Sequence, residues 1–330
     1  MISTDIAIDL GTSNVLIYIK KKGIVLNEPS VVAIEKDTKK ILAVGNEANK
    51  MLGKTPEKVE IIKPLKEGVI ADLEITEIML NEFIKKIKSK KLFTKPRVLI
   101  CCPTNITSIE KDALKEVAER TGARKVYIEE ESKAAALGAG MQVHKPIANM
   151  VIDIGGGTTD IAVISLDGIV NSKSIKIAGD KFNENIISYI KEKYKLLIGE
   201  VTSENIKINF ANVYKSDSTK KMEIKGRDLI TGLPKVIEIS QEEITDALRE
   251  SIKKIKDHII NSLEITPPEL SADIVEKGIV LTGGGAQLKG LIEILEESLK
   301  IPVLIAESPT TCVVEGAGIL LDELKKLEES

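Results

Sequence analysis

One stretch in the middle of the chain constrains its fold more than any other. In residues 151 to 164, two β-branched runs flank Gly155-Gly156-Gly157 and two threonines, which predicts a strand, a tight turn and a second strand. Glycines let a backbone approach a ligand closely, and turn N–H groups with threonine hydroxyls can hold phosphate oxygens. Asp153 ends the first strand, and a carboxylate beside a phosphate needs a cation between them. The stretch therefore predicts a phosphate site with Mg²⁺, although an ordinary β-hairpin explains it as well.

A second copy of the pattern lies near the N-terminus. Residues 5 to 19 again read as strand, acid, glycine and hydroxyl turn, and strand, with Asp9 lying 144 residues before Asp153. Self-similarity of this kind indicates an internal duplication. We therefore expect two related sheets that each present a strand-turn-strand unit to one shared nucleotide.

Composition sets the class of protein. A chain of 330 residues is long for one core, so two domains are expected. Hydrophobic residues make up 43% and charged residues 29%, as in globular proteins. The net charge of −3 comes from acids and bases spread along the chain, which gives no support to a nucleic-acid partner.

Cysteine and histidine usage points to a reducing compartment and away from zinc. Cys101, Cys102 and Cys312 match no metal or disulfide spacing and are interpreted as buried free thiols of the cytoplasm. With only His144 and His258, histidine catalysis is not expected. The chain shows no signal-peptide pattern and no apolar run of ~18 residues, so we expect no membrane span.

Periodicity predicts helices around the two motifs. A core-facing helix is expected over 74 to 88, a strand over 97 to 102, and then a helix capped by Thr107 or Ser108 with Ile109, Ala113 and Val117 on its buried face. The small-residue helix 134 to 140 is expected where the two halves meet. Later helices are expected over 182 to 194, after Gly179-Asp180, and from residue 315 onward.

A third glycine turn completes the set of motifs. Thr282-Gly283-Gly284-Gly285-Ala286 lies between a strand and a helix, where glycines let a ligand reach the backbone. In their order and in their sequences, the three turns resemble the two phosphate motifs and the adenosine motif of the actin, Hsp70 and sugar kinase superfamily. Within it the chain is most similar to the MreB family of bacterial actin-like cell-shape proteins. Besides the three motifs, the resembling segments are 27 to 31, 68 to 72, 95 to 98, 230 to 234 and 266 to 270.

The resemblance covers almost the whole chain and implies an α/β, actin-like fold. It implies two duplicated ribonuclease-H-like domains with a nucleotide in the central cleft. Domain I would comprise 1–145 plus 311–330, with a small inserted subdomain at about 32–70. Domain II would comprise 146–310, with a second inserted subdomain at about 183–240.

The resemblance also assigns roles to residues by position. Asp9 and Asp153 would hold Mg²⁺, through water, and Glu131 would orient or polarise the attacking water with help from Thr158. Taken alone, Glu204 and Lys207 are better explained as a solvated helical pair. The residues that would contact ATP or ADP are Gly11, Thr12, Ser13, Asn14, Gly155, Gly156, Gly157, Thr158, Gly179, Asp180, Glu204, Lys207, Gly283, Gly284, Gly285 and Ala286.

The chain departs from the family beside the proposed catalytic acid. MreB proteins usually carry Pro and Met after the acidic pair, whereas this chain has Ser132 and Lys133. A cation next to Glu131 is expected to favour its ionised form, or else to point to solvent. The departure leaves open a cytoskeletal scaffold that binds ATP and hydrolyses it weakly. A small-molecule kinase of the same superfamily is a further alternative.

The adjacent apolar pair Leu92-Phe93 is flanked by lysines in a predicted loop. Apolar tips with nearby ammonium groups suit an anionic membrane surface, whereas by composition alone the pair packs under its own loop. The resemblance favours the membrane, since the family has a hydrophobic membrane loop here. It further implies homopolymer filaments, which are paired, at the cytoplasmic inner face of the cell membrane, and wall-synthesis proteins as partners.

Overall fold

A computed structural model describes residues 5–87, 96–104 and 106–329. Leu92 and Phe93 lie outside the described residues, so their membrane role stays a prediction. The strands are β1 (Ile6–Leu10), β2 (Asn14–Ile19), β3 (Gly23–Pro29), β4 (Val32–Glu35), β5 (Ile41–Val44), β6 (Val59–Ile62), β7 (Leu65–Lys66), β8 (Val69–Ile70), β9 (Arg97–Cys102), β10 (Lys125–Glu130), β11 (Asn149–Ile154), β12 (Thr159–Ser165), β13 (Gly168–Ile175), β14 (Leu196–Leu197), β15 (Lys221–Asp228), β16 (Pro234–Ser240), β17 (Ile279–Thr282) and β18 (Val303–Ile305). The helices are α1 (Asn46–Asn49), α2 (Leu73–Ile87), α3 (Ser108–Arg120), α4 (Glu131–Gly138), α5 (Gly179–Tyr194), α6 (Glu200–Asn209), α7 (Gln241–Glu264), α8 (Pro268–Lys277), the 3-10 helix Gly284–Gln287, α9 (Leu291–Leu299) and α10 (Cys312–Glu329).

Two five-stranded sheets share one topology. Their strand orders are β10-β9-β1-β2-β3 and β18-β17-β11-β12-β13. In each sheet the strand before the glycine turn pairs antiparallel with the strand after it and parallel with its other neighbour. The register also matches, because Asp9 lies opposite Leu16 and Asp153 lies opposite Asp160. The predicted duplication is confirmed.

Each half carries a small three-stranded sheet, of order β5-β4-β6 in the first half and β14-β15-β16 in the second. Both fall inside the stretches expected to be inserted subdomains. Helix α10 returns to the first half, where it packs on β1, β2 and β9. The domain limits themselves stay a prediction.

Helices α4 and α10 fill the space between the two halves. A buried cluster joins Ala7 and Leu99 of the first sheet to Val151 and Ala162 of the second through the alanines of α4. A methyl group added at Gly316 of α10 would lie 1.8 Å from the carbonyl oxygen of α4 residue 134, so glycine permits this close helix contact. The prediction that the small-residue helix lies at this junction is confirmed.

Several element boundaries differ from the sequence predictions. Helix α4 begins at Glu131, three residues earlier than expected, and α5 begins at Gly179, so Gly179 and Asp180 form its first turn. Helix α10 likewise begins at Cys312. The placement of Ile109 on the buried face of α3 was wrong, because its side chain is 78% exposed and Leu114, Val117 and Ala118 form that face.

Two charged networks hold elements together away from the cleft. Arg97 at the start of β9 donates two hydrogen bonds to the buried carboxylate of Asp5, 3.0 Å from Nε to Oδ1 and 2.6 Å from Nη2 to Oδ2. Glu243 closes a capping box at the start of α7 and accepts from Lys193 at 2.7 Å and from the Tyr194 hydroxyl. Burial opposes ionisation of Glu243, but these hydrogen bonds outweigh it and lower its pKa to about 2.

Across the described ranges, we find no helix that is both long enough and apolar enough to cross a bilayer.

Candidate functional site

A cavity of about 570 Å³ lies between the two halves, and both phosphate-type turns open onto it. The turn between β1 and β2 contributes Gly11, Thr12, Ser13 and Asn14, and the turn between β11 and β12 contributes residues 155 to 158. Strand pairing fixes both turns, since each joins two antiparallel strands of its sheet. The duplicated motifs therefore meet at one site, as the sequence predicts.

The two turns approach each other so closely that side chains would not fit between them. A methyl group at Gly156 would lie 2.0 Å from the Ser13 hydroxyl, and one at Gly157 would lie 2.6 Å from the Thr12 hydroxyl. The methyl at Gly157 would also lie 2.9 Å from backbone atoms of Glu67, in the β7–β8 hairpin. Glycine at these positions thus sets the distance between the halves.

Two aspartates face the cavity, the half-buried Asp9 from the first half and the buried Asp153 from the second. Burial, together with the charge of Asp153, raises the pKa of Asp9 to about 7. Burial also raises the pKa of Asp153 to about 7, although the hydroxyl of Thr282 donates to its Oδ1 at 2.8 Å and opposes that shift. A divalent cation would favour the ionised form of both groups.

Glu131 reaches the same cavity as the first residue of α4. Its pKa is raised well above the usual value, first by burial and then by the charges of Asp160, Asp9 and Asp153. The pKa of Asp160 is also raised by burial, although hydrogen bonds from Thr104, Thr158 and Ser174 oppose that shift. The cleft thus brings four carboxyl groups together.

The other end of the cavity is lined by α5, α6 and the third glycine turn. Lys207 donates to Oε2 of Glu204 at 2.8 Å and to the carbonyl oxygen of Gly179 at 3.1 Å. Asn183 donates to the same Oε2 at 2.6 Å. Of the predicted pair, Lys207 is therefore enclosed by the site and Glu204 lies at its edge, because the Lys207 side chain is only 12% exposed while that of Glu204 is 45% exposed.

The third turn lies directly against the second half's strand β11. Gly283 has φ +81°, and a methyl there would lie 2.3 Å from the carbonyl oxygen of Ile154. Gly283, Gly284 and Gly285 all line the cavity. A backbone without side chains at this point leaves room for a flat ligand group.

Two predicted contacts do not line this cavity. Ala286 is buried in the core of the second half, and Asp180 lines an adjoining cavity of about 450 Å³ that shares Thr12, Ser13 and Asn14 with the main one. Their assignment as nucleotide contacts stays a prediction.

Several lining residues were missed by the sequence analysis. Most are apolar or lie in loops whose approach to the cleft depends on the tertiary fold, so no local pattern marks them. Behind the lining, one residue did carry a sequence signal: Asp160 is a lone acid inside an apolar strand run. The missed lining residues are Leu16, Gly68, Phe182, Ile208, Gln287, Leu288, Pro309, Thr310 and Val313.

Lys133 does not stabilise the ionised form of Glu131, which was one of the two expectations for this lysine. The charge of Lys133 instead opposes the rise in the pKa of Glu129, a residue of β10 outside the cavity lining. Glu131 therefore faces carboxylates and not a cation, and the expectation that its ionised form is favoured was wrong. Ser132 is fully buried, with its hydroxyl 3.1 Å from that of Thr104.

The acidic end of the cleft fits a hydrated divalent cation. In the described part of the chain, no three His, Cys, Asp or Glu side chains are grouped closely enough to hold a metal ion by themselves. Mg²⁺ usually keeps several waters and takes one or two carboxylates plus phosphate oxygens. Asp9 and Asp153 beside the two turns supply that donor set.

Comparison with known proteins agrees with this architecture. The chain is 58% identical to the cell shape-determining protein Mbl of Bacillus subtilis over 99% of its own length and 98% of that protein's. The structure of MreB 5 of Spiroplasma citri bound to AMPPNP superposes with a TM-score of 0.95 at 41% identity, covering 100% of this chain and 99% of that one. The same Spiroplasma protein has also been solved with ADP.

A double helical filament of MamK shares the fold at 22% identity, with a TM-score of 0.83 over 97% of this chain and 99% of that one. Together, the duplicated sheets and the central cleft define an actin-like protein, and the predicted fold class is confirmed. The family model described as MreB/Mbl protein matches residues 3–329. The chain belongs to the MreB/Mbl family, whose curated relatives are cell shape-determining proteins.

Proposed function

We propose that this chain binds ATP with Mg²⁺ in the cleft, hydrolyses it slowly and polymerises into membrane-associated filaments that determine cell shape. The observation that carries the nucleotide site is the meeting of the two phosphate-type turns and the two aspartates Asp9 and Asp153 at one cavity. The AMPPNP and ADP complexes of the Spiroplasma relative support the same ligand.

In this proposal Asp9 and Asp153 hold the metal through water, and the turn N–H groups and hydroxyls hold the phosphates. Mg²⁺, when bound, neutralises phosphate charge in the transition state. Glu131 and Thr158 flank the place where a water would attack, with Glu131 orienting or polarising that water. Since phosphoryl transfer requires positioning more than covalent chemistry, these few groups suffice.

Replacing Glu131 with Ala tests the hydrolytic role. Nucleotide affinity should change little, because Glu131 is placed for the water and not for the phosphates, while phosphate release should fall by about 10²-fold. Glu129→Gln is the matched control, since this half-buried acid lies two residues away but outside the cavity lining. Equal phosphate release from Glu131→Ala and the unmodified chain would remove Glu131 from the mechanism.

The filament and the weakly hydrolysing scaffold make different predictions from the small-molecule kinase. A polymer scatters light when ATP is added, and a monomeric metabolic kinase does not. Light scattering with ATP, with ADP and without nucleotide separates these classes, and electron microscopy of the pellet shows whether the filaments are paired. Normal polymerisation with phosphate release close to background would favour the weakly hydrolysing scaffold.

Membrane association is proposed through Leu92 and Phe93. Burying two such side chains is worth roughly 3–6 kcal/mol at best, and each well-placed lysine adds about 1 kcal/mol. Association entropy makes that weak for one monomer, whereas a filament with many such loops on one face binds by avidity. We also propose attachment at the cytoplasmic face, close to wall-synthesis proteins, and the cell-shape role of the curated relatives supports this placement.

The double variant Leu92→Ser with Phe93→Ser should polymerise normally but stay in the supernatant with anionic liposomes. Ile265→Ser, which changes a residue 70% exposed on the second half, should sediment like the unmodified chain. Vesicles of neutral lipid measure the share that depends on charge. Undiminished sedimentation of the double variant would rule out this loop as the membrane anchor.

A further inference from the structure

A carboxylate lies fully buried near the start of β12. Asp160 has no exposed surface, and the three residues that follow it, Ile161 to Val163, are apolar and equally buried. Placing a carboxyl group in such a strand is costly unless other groups bond to it. The strand itself therefore gives no reason for an acid at this position.

The duplication supplies an internal comparison. Asp160 lies opposite Asp153 in the second sheet, and the equivalent place opposite Asp9 in the first sheet is taken by Leu16. The two sheets share strand order and register, so this position accepts an apolar side chain. An acid at this position is thus needed only in the second half, which lies opposite Glu131 across the cleft.

The hydrogen bonds of Asp160 lead to the proposed hydrolytic groups. The backbone N–H of Thr104 donates to its Oδ1 at 2.9 Å, and the Thr104 hydroxyl lies 3.1 Å from that of Ser132, the residue after Glu131 on α4. The second carboxylate oxygen of Asp160, Oδ2, is buried without a hydrogen-bond partner among the described residues, and the neighbouring Thr158 side chain lowers the pKa of Asp160, so Oδ2 can accept from the Thr158 hydroxyl. Among the charged groups, Asp160 has the largest effect on Glu131. Asp160 therefore lies behind both Thr158 and Glu131, outside the cavity lining.

We propose that Asp160 is a positioning residue for the attacking water. By accepting the Thr158 hydroxyl proton, it turns the oxygen lone pairs of Thr158 toward the cavity, where they accept a hydrogen bond from the water. Through Thr104 and Ser132 it also fixes the first turn of α4, which carries Glu131. The inference deepens the proposed ATPase function and rests on it.

Asp160→Leu tests this role with the side chain that the first sheet carries at the same place. Because leucine is similar in size and apolar, the variant should fold and unfold at or above the temperature of the unmodified chain. AMPPNP affinity should stay within about threefold, while the turnover number for phosphate release should fall about tenfold or more without a matching change in KM. Asp160→Asn keeps the acceptor oxygen and should recover most of the rate.

Ser174→Ala is the matched control. Ser174 bonds to Asp160 from the neighbouring strand β13 and leads to no group of the cleft, so its loss should leave phosphate release within about twofold. Phosphate release from Asp160→Leu within twofold of the unmodified chain would overturn the proposal. So would a parallel loss of AMPPNP affinity, or an Asp160→Asn variant as slow as Asp160→Leu.

A second measurement does not depend on turnover. ADP with aluminium fluoride imitates the phosphoryl group under attack, so Asp160→Leu should bind ADP normally but ADP with aluminium fluoride about tenfold more weakly. If the unmodified chain neither releases phosphate nor binds this complex, the proposed ATPase is wrong and the inference falls with it. If the unmodified chain does both and Asp160→Leu does so equally well, the inference alone is wrong.

Discussion

The contact between the two phosphate-type turns gives the sharpest test of the cleft. Gly157→Ala adds one methyl group, which would lie 2.6 Å from the Thr12 hydroxyl and 2.9 Å from the Glu67 backbone nitrogen and Cα. A rotation of Thr12 can relieve the first contact, but no rotamer relieves the second. Since ordinary contacts begin at about 3.4 Å, the second turn must move away from the β7–β8 hairpin by about half an ångström.

This displacement separates groups that the proposal assigns to one ligand. Overpacking by a methyl group typically costs about 1–3 kcal/mol, and here it can be relieved by opening the cleft instead of unfolding a domain. We therefore expect ATP affinity to fall about 5- to 100-fold, with a smaller effect on the unfolding temperature. Equilibrium titration of the full chain with AMPPNP, in parallel with thermal unfolding, measures both quantities.

Gly199→Ala, outside the lining of the main cavity, is the matched control. A methyl there meets no atom of the described residues within 4 Å, and Gly199 has no left-handed backbone conformation to strain. The AMPPNP affinity of this variant should stay within about threefold of the unmodified chain. The reasoning fails if Gly199→Ala weakens binding as much as Gly157→Ala does, or if Gly157→Ala binds AMPPNP normally.

Three further predictions concern charge. Asp5→Asn removes the charged acceptor of two hydrogen bonds from the buried Arg97 and should lower the free energy of unfolding in urea by roughly 3–5 kcal/mol; a loss under 1 kcal/mol would be the contrary result. Near pH 7, Mg²⁺ and ATP should displace about one proton in total from Asp9 and Asp153, whose pKa values are raised to about 7. Calorimetry in two buffers of different ionisation enthalpy detects that proton, because the observed heats then differ between the buffers; equal observed heats in the two buffers would contradict it. Because the pKa of Glu243 is lowered to about 2 in the folded state, its carboxylate stabilises the fold above pH 4.5, and this stabilisation is lost as pH falls from 4.5 to 2. Glu243→Gln should remove about 1–3 kcal/mol of this pH dependence of stability.

The sequence predicted those parts of the fold that depend on local pattern. Strand β9 was predicted with its observed limits, and Thr107, one of the two residues predicted to cap α3, is its N-cap. The duplication was readable because both motifs keep the same order of acid, glycine and hydroxyl. Helix starts were less predictable. Helix α5 begins at Gly179 without a side-chain cap, because the N–H groups of residues 179 and 180 donate to carbonyl oxygens of the second phosphate-type turn.

The residues of the candidate site were predictable where a ligand requires a particular backbone conformation. They were not predictable where tertiary contacts determine which side chains reach the cavity. Glycines and acids at strand ends are visible in the sequence because only certain residues suit those positions. The role of Lys133 could not be read in the same way. Residues two apart in a helix point to different faces, so the nearness of Lys133 to Glu131 in sequence did not bring their side chains together, and Lys133 acts on Glu129.

The position of Glu131 relates the chemistry of the cleft to the arrangement of the halves. Glu131 is the first residue of α4, and the same helix packs through Gly138 against the backbone of α10, where a methyl would lie 1.9 Å from the carbonyl oxygen of Cys312. Helix α4 contacts strands of both large sheets, so it cannot shift without changing how they pack. In the proposed ATPase, loss of the γ-phosphate removes the ligand shared by the two turns, and the same loss changes the surroundings of Glu131 at the start of α4. Packed helices of this kind move as rigid units, and hydrolysis should therefore alter the angle between the halves more than the structure within either one.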